Sequence, residues 1–186
     1  MLRPFIDAHV HLNSTTRAKL QLVAQYDAYF VSINTDIPFF IDLQAQQEMI
    51  TTLNKSAQRS FFITSFDNQY WNTPRWLPHA MEQIKAGIAA GAKGVKIWKN
   101  IGMDENLKDA QKNFVLLDDA RFDPIFQYLS DAGILLINHQ GEPRNCWLPL
   151  EEMTVTSDRN YFAAHPEYHM FKNKHYPSYE THMAAR

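Results

Sequence analysis

Phe5-Ile6-Asp7-Ala8-His9-Val10-His11-Leu12 begins as an apolar run and ends in Asp-x-His-x-His. Read as a strand over Phe5–Val10, its side chains alternate between two faces. His9 and His11 then point the same way, with Asp7 behind them on that face. Two imidazoles side by side at a strand's carboxyl end can grip one divalent ion, with further ligands supplied from elsewhere in the fold. The plain alternative is a pair of surface or core histidines near the amino end.

Outward from that stretch, short apolar runs alternate with longer segments of helical period. The pattern predicts a helix over Thr15 to Gln25, with Ser14 or Thr15 as N-cap and Leu20, Leu22 and Val23 on its apolar stripe. A second strand follows over Ala28–Ile33, a helix over Asp42 to Gln58, and a third strand over Ser60–Phe66. A helix from about Pro74 stops at Gly91, read as a left-handed C-terminal cap. A fourth strand spans Gly94–Trp98. Asp123-Pro124 opens a helix that runs to Ala132 and ends at Gly133, and a fifth strand covers Ile134–Asn138.

Strand–helix alternation implies a parallel sheet covered by helices, and short, nearly all-apolar strands fit burial on both faces. No Gly-x-Gly-x-x-Gly follows the first strand, so the dinucleotide-binding open sheet loses support. His-x-His at a strand's carboxyl end lies where (β/α)₈ barrels keep their active sites. The fold class expected is α/β, a partial (β/α)₈ TIM barrel of about the first five strands. Such a barrel usually needs about 250 residues, and this chain has 186. Residues 140–177 read as a long polar and aromatic loop after strand five. A helix begins at Pro177-Ser178-Tyr179-Glu180 with Ser178 as N-cap. The chain is therefore read as a single, incomplete barrel domain, the front part of a longer chain.

Composition narrows the function. Apolar residues make up 45% and charged residues 20%, with a formal net charge of -2, so no basic stripe points to nucleic acid and no polybasic run to an anionic membrane. Apolar stretches fall far short of the roughly 20 residues of a membrane span. No leader with a cleavage site is visible, which gives a cytoplasmic expectation, although a chain with its leader already removed would look the same. One cysteine, Cys146, excludes an internal disulfide framework. The partner expected is a small-molecule substrate, with a homo-oligomer open.

Two more stretches carry chemistry. Asn138-His139-Gln140-Gly141-Glu142-Pro143 follows strand five. His139 there is a candidate third ligand, or a packing histidine. Glu142 is a ligand, a general base or a loop hydrogen-bond acceptor. In Gly94-Val95-Lys96-Ile97-Trp98, a lysine inside an apolar strand is costly unless paired or chemically used. Lys96 shares a face with Trp98. It is read as a site residue, or as the partner of a core carboxylate such as Asp7. Arg144 and Trp98 are the candidate substrate-binding residues, the arginine for a bidentate carboxylate contact. His165 and His169 read as loop packing, His79 and His182 as solvated, and His175, in the long loop, as structural or solvated, with lining a substrate pocket as the alternative.

These three stretches, in this order and each after a strand, resemble the amidohydrolase superfamily and within it the amidohydrolase-related branch of metal-dependent hydrolases, lactonases, hydratases and decarboxylases. The resemblance implies a barrel with one divalent ion at its carboxyl-end mouth, zinc or alternatively manganese. His9 and His11 match the first-strand ligands and His139 the fifth-strand ligand. In some branches a carbamylated fourth-strand lysine bridges two metals, and Lys96 falls at that place, whereas the amidohydrolase-related branch commonly works without it. The family pattern also wants a histidine after strand six and an aspartate after strand eight, and nothing after His182 supplies them.

The expected activity of the full-length parent is metal-dependent hydrolysis, with activated water attacking an amide, ester or lactone carbonyl and Lys96 and Glu142 as catalytic candidates. The alternatives are a decarboxylase or hydratase of the same branch, or a truncated, non-catalytic metal binder. A phosphoesterase with a related site would want further ligands, for which Asp36 and Asp67 are the candidates.

Overall fold

The computed structural model describes residues 5–26, 28–57 and 59–185, with side chains at all of these except 20, 22–24, 56 and 57. The stripe expected from Leu20, Leu22 and Val23, and the helix end at Gln58, lie outside what is described. The elements run β1 (Phe5–Val10), α1 (Arg17–Gln25), β2 (Ala28–Ile33), α2 (Leu43–Ala57), β3 (Ser60–Ile63), α3 (Trp76–Ala89), β4 (Gly94–Ile97), α4 (Asn100–Met103), α5 (Asp123–Asp131), β5 (Leu135–Asn138), α6 (Thr156–Ala164) and α7 (Tyr179–Ala184). This is the strand–helix alternation of a partial (β/α) barrel.

The chain divides into two compact units: Met1–Ile97 with Pro124–Ile137, and Trp98–Asp123 with Asn138–Arg186. In the first, β1, β2 and β3 pair in sequence order and in parallel, and β4 pairs with β5. A parallel bridge from Thr64 to Val95 continues β3 toward β4. β3 therefore ends earlier than its apolar run suggests, because beyond Ile63 the chain keeps only that one bridge.

Sequence chemistry explains the helix positions. Asp42 caps α2, its Oδ1 accepting from the Ala45 amide at 2.7 Å. Gln46, buried on α2, accepts from Thr35 N and donates to the Thr35 and Ile41 carbonyls, pinning the loop after β2. Asn54 clasps Ser60 through both its amide and its carbonyl, tying α2 to the start of β3. On α3 the buried residues are Trp76, Ala80, Ile84 and Gly87, one stripe at helical spacing. Gly91 and Gly133 both take positive φ just beyond their helices, as the left-handed caps require. The core of this unit gathers Phe30, Ile33, Leu53, Ile63, Ile84, Val95, Ile97 and Ile125, all buried.

Apolar surface stays open at both ends of the strand order. Phe5 and Ile6 on β1 are 52% and 67% exposed, and Leu135 on β5 is 56% exposed. These are the outer strands of their sheets.

The second unit corrects the reading of residues 140–177 as a loop. They contain α6 and three short 3-10 turns, Arg144–Trp147, Leu150–Glu152 and Pro166–Tyr168. The helix is hard to see in sequence because Val155 at its N-cap offers no side-chain cap and its large apolar residues cluster near one end. Ser178 caps α7 as expected, accepting from Thr181 N at 3.1 Å. Among the described residues, no helix is long and apolar enough to cross a membrane.

Candidate functional site

β1 departs from an ideal strand where it matters. Phe5, Ile6 and Asp7 face Ala28, Tyr29 and Phe30 of β2, but the next pair is Val10 with Ser32. Three steps along β1 meet two along β2, so one extra residue is accommodated between Asp7 and Val10, a β-bulge. The bulge breaks strict alternation, and Asp7 is not simply stacked behind the histidines. Its Oδ1 accepts from the His9 backbone amide at 3.1 Å. His9 and His11 themselves come together, with ring centroids 5.3 Å apart and planes at 64°.

The His11 ring is fixed by β2. Its Nδ1 lies 2.8 Å from the Ile33 carbonyl, an acceptor, so Nδ1 carries the proton and donates. Nε2 is left with its lone pair, the tautomer and orientation that metal-binding histidines take from a backbone acceptor. Partial burial is the main cause that pushes the His11 pKa below its ordinary value. The Ile33 bond opposes that shift, while His9 and Lys96 reinforce it. A neutral imidazole at pH 7 follows. A cleft of about 350 Å³ opens beside it, lined by Asp7, Lys19, Tyr29, Phe30 and Leu53 among others.

Lys96 stands in a strand whose four residues are all buried, and is itself 4% exposed. Its backbone is held from both sides, its N–H donating to Thr64 O at 2.7 Å and its carbonyl accepting from Ser65 Oγ at 2.8 Å. The expected pairing with Asp7 is not formed, and no described residue gives the ammonium a counter-ion or hydrogen bond. Burial lowers its pKa. Trp98 lies just beyond β4, half-buried.

The second unit holds the remaining candidates. His139 is half-buried directly after β5 and makes contacts of its own. The Glu142 carboxylate pairs with the Lys99 ammonium, and its backbone carbonyl accepts from Trp147 Nε1 at 3.1 Å. Of the roles open to Glu142, the structure displays that of an ion-paired loop anchor. Arg144 is exposed on a cleft of about 240 Å³ with Trp147, Lys174, Tyr176, Tyr179 and Glu180. His9 and His11 belong to one unit and His139 to the other. Among the described residues, no three His, Cys, Asp or Glu side chains are gathered so as to hold a metal ion.

Several histidines differ from expectation. His182, read as solvated, is fully enclosed, because α7 turns it toward Gly102 and Gly141, where there is no Cβ in the way. Neither of its ring nitrogens has a partner, and burial lowers its pKa. His79, also read as solvated, pairs with Asp67 at 2.9 Å, and Gln83 one turn on donates to the other Asp67 oxygen at 2.7 Å. The 79/83 spacing on α3 was the available signal. His169 is packed as expected, stacked between Phe162 and Phe171 and bonded to Leu148 O. His175 meets Glu105 at 3.0 Å.

No family model and no curated protein matches the sequence. Among solved structures, an uncharacterised TIM-barrel protein from Bordetella bronchiseptica is similar, with TM-score 0.51 and 13% identity over 75% of this chain. The chain spans 56% of the length of that structure. The likeness shows the fold, a partial TIM barrel, and nothing finer.

Proposed function

We propose that this chain carries part of the active site of a metal-dependent hydrolase of the amidohydrolase type. The supporting observation is the His9–His11 pair at the carboxyl end of β1, with the His11 tautomer set by Ile33 O so that Nε2 is available. Both donors suit a borderline cation such as zinc or manganese. A divalent ion in that position supplies Lewis acidity toward a carbonyl oxygen and acidifies water toward neutral pH.

The chain's own residues contribute orientation and charge. The Ile33 carbonyl holds the His11 ring, and the bulge sets where His9 is presented. Neutral imidazoles leave a bound cation's charge undiminished. Glu142, held by Lys99, positions the loop that carries His139 and Arg144, and Arg144 with Trp98 is proposed to recognise a carboxylate-bearing substrate.

The test is metal stoichiometry. Elemental analysis after loading with zinc or manganese is expected to show binding in the native chain and a loss of at least tenfold in affinity for His9→Ala and for His11→Ala. Undiminished binding in both variants would remove the ligand assignment.

A further inference from the structure

We propose that the cleft between the Arg144–Trp147 turn and the start of α7 binds a free α-amino acid with an aromatic side chain, Arg144 holding its carboxylate and Glu180 its ammonium. The proposal goes beyond the hydrolase reading. It shares with that reading only the carboxylate contact of Arg144, and it needs no metal.

The cleft lies wholly within the second unit and encloses about 240 Å³. Pockets for drug-sized ligands run to roughly 300–1,000 Å³, so the occupant here is a smaller molecule. Two opposite charges, Arg144 and Glu180, line this one space. Among the described residues neither side chain has a hydrogen bond or an ion pair, and they do not pair with each other. A guanidinium and a carboxylate that share a small cleft without meeting match a ligand that carries both charges. Glu180 also decides against a plain anion, which a facing carboxylate repels. The second cation on the wall, Lys174, is drawn over the Phe171 ring, its Nζ 4.0 Å from the ring centre. That leaves the planar fork of Arg144 for a two-point carboxylate contact. The cleft beside His11 also has a lysine and an aspartate on its walls, but there Lys19 donates to Asn13 and Asp7 accepts from the His9 amide.

The rest of the wall suits an aromatic side chain. Trp147 and Tyr176 offer ring surface, and buried Met170 offers a polarisable thioether. These groups are held in place before any ligand arrives. Trp147 Nε1 donates to Glu142 O at 3.1 Å, and the Tyr176 ring packs on Phe114 with centroids 5.1 Å apart. Phe171 N donates to Cys146 O at 3.1 Å, tying the Arg144–Trp147 turn to the segment that carries Lys174. The Ser178 cap fixes the turn from which Glu180 projects.

The experiment is calorimetric titration of the purified 186-residue chain, stripped of metal with EDTA, at neutral pH. L-phenylalanine is compared with hydrocinnamate, which lacks the ammonium, and with phenethylamine, which lacks the carboxylate. Phenylalanine is expected to bind saturably, and each analogue about tenfold more weakly or worse. Arg144→Gln and Glu180→Gln are each expected to weaken phenylalanine by about tenfold. Both side chains are exposed, so neither change disturbs the core. Absence of saturable phenylalanine binding overturns the proposal. So does hydrocinnamate binding as tightly as phenylalanine, which would mark a plain carboxylate site, and so does undiminished binding in either variant. Because the protein is metal-free throughout, each of these failures leaves the assignment of His9 and His11 as metal ligands untouched.

Discussion

Replacing His182 with leucine removes a pH dependence from the stability of the second unit. In the folded chain the imidazole is 0% exposed and both nitrogens lack partners. Its pKa is lowered from 6.5 by burial. The unfolded chain therefore takes up the proton first as pH falls. Stability from this residue is complete above about pH 6.5 and declines as acid is added, down to the lowered folded value. One unit below 6.5 the loss reaches at most about 1.4 kcal/mol. At pH 7.5, deleting a buried donor without an acceptor gains about 1–3 kcal/mol. The change of shape against Gly102, Gly141 and Trp147 gives back about 0.5–1.5 kcal/mol. The variant should thus lie between about 0.5 kcal/mol less and about 2.5 kcal/mol more stable at pH 7.5, and the difference should move in its favour at pH 5.5. Urea unfolding followed by tryptophan fluorescence at the two pH values measures both quantities. His11, also lowered by burial, contributes equally to the two proteins and cancels in the difference. Equal losses of stability on acidification in wild type and variant would refute a buried, neutral His182.

Lys96→Met should raise the melting temperature, with a gain of about 0.5–2 kcal/mol, because an unpaired buried amine is replaced by an apolar chain of similar length; a destabilised variant would mean that the ammonium has a partner. Gly87→Ala should destabilise despite the higher helix propensity of alanine, since the added Cβ would lie 2.3 Å from Thr64 Oγ1. Overpacking of that kind costs about 1–3 kcal/mol against a propensity gain of about 1, and denaturant midpoints decide the sign. Cys146 should resist thiol reagents at pH 8: its thiol is enclosed, donates to Tyr168 O at 3.0 Å, and is pushed up to about 11 mainly by burial. Rapid reaction in the native protein would contradict that burial.

Local signals were legible where a residue acts on its own neighbours. The limits of β1 and β2, the caps at Gly91 and Gly133, and the Ser178 cap all follow from short-range pattern. The His9–His11 pair was legible for the same reason, although by a route the bulge complicates. Period-two alternation assumes an unbroken ladder, and an extra residue against Ser32 leaves no mark in composition. The pairings of Lys99 with Glu142 and Asp67 with His79 join residues from different elements. Their existence depends on how loops return across the fold. His182 misled because a polar residue in a short terminal helix usually faces water, whereas here two glycines far apart in sequence leave it room.

The irregular pairing of β1 has a cost and a use. A strand that gives up one rung of its ladder between Asp7 and Val10 is held less firmly there, beyond the regular pairs of Phe5 and Ile6. In exchange, the offset lets the imidazole of His11 reach the last carbonyl of β2. Shortening the strand by one residue at Ala8 would restore a regular ladder and turn the aspartate and the histidines to different sides. The misalignment is thus what sets the His11 ring against β2, and a fully regular β1 would present its polar side chains elsewhere.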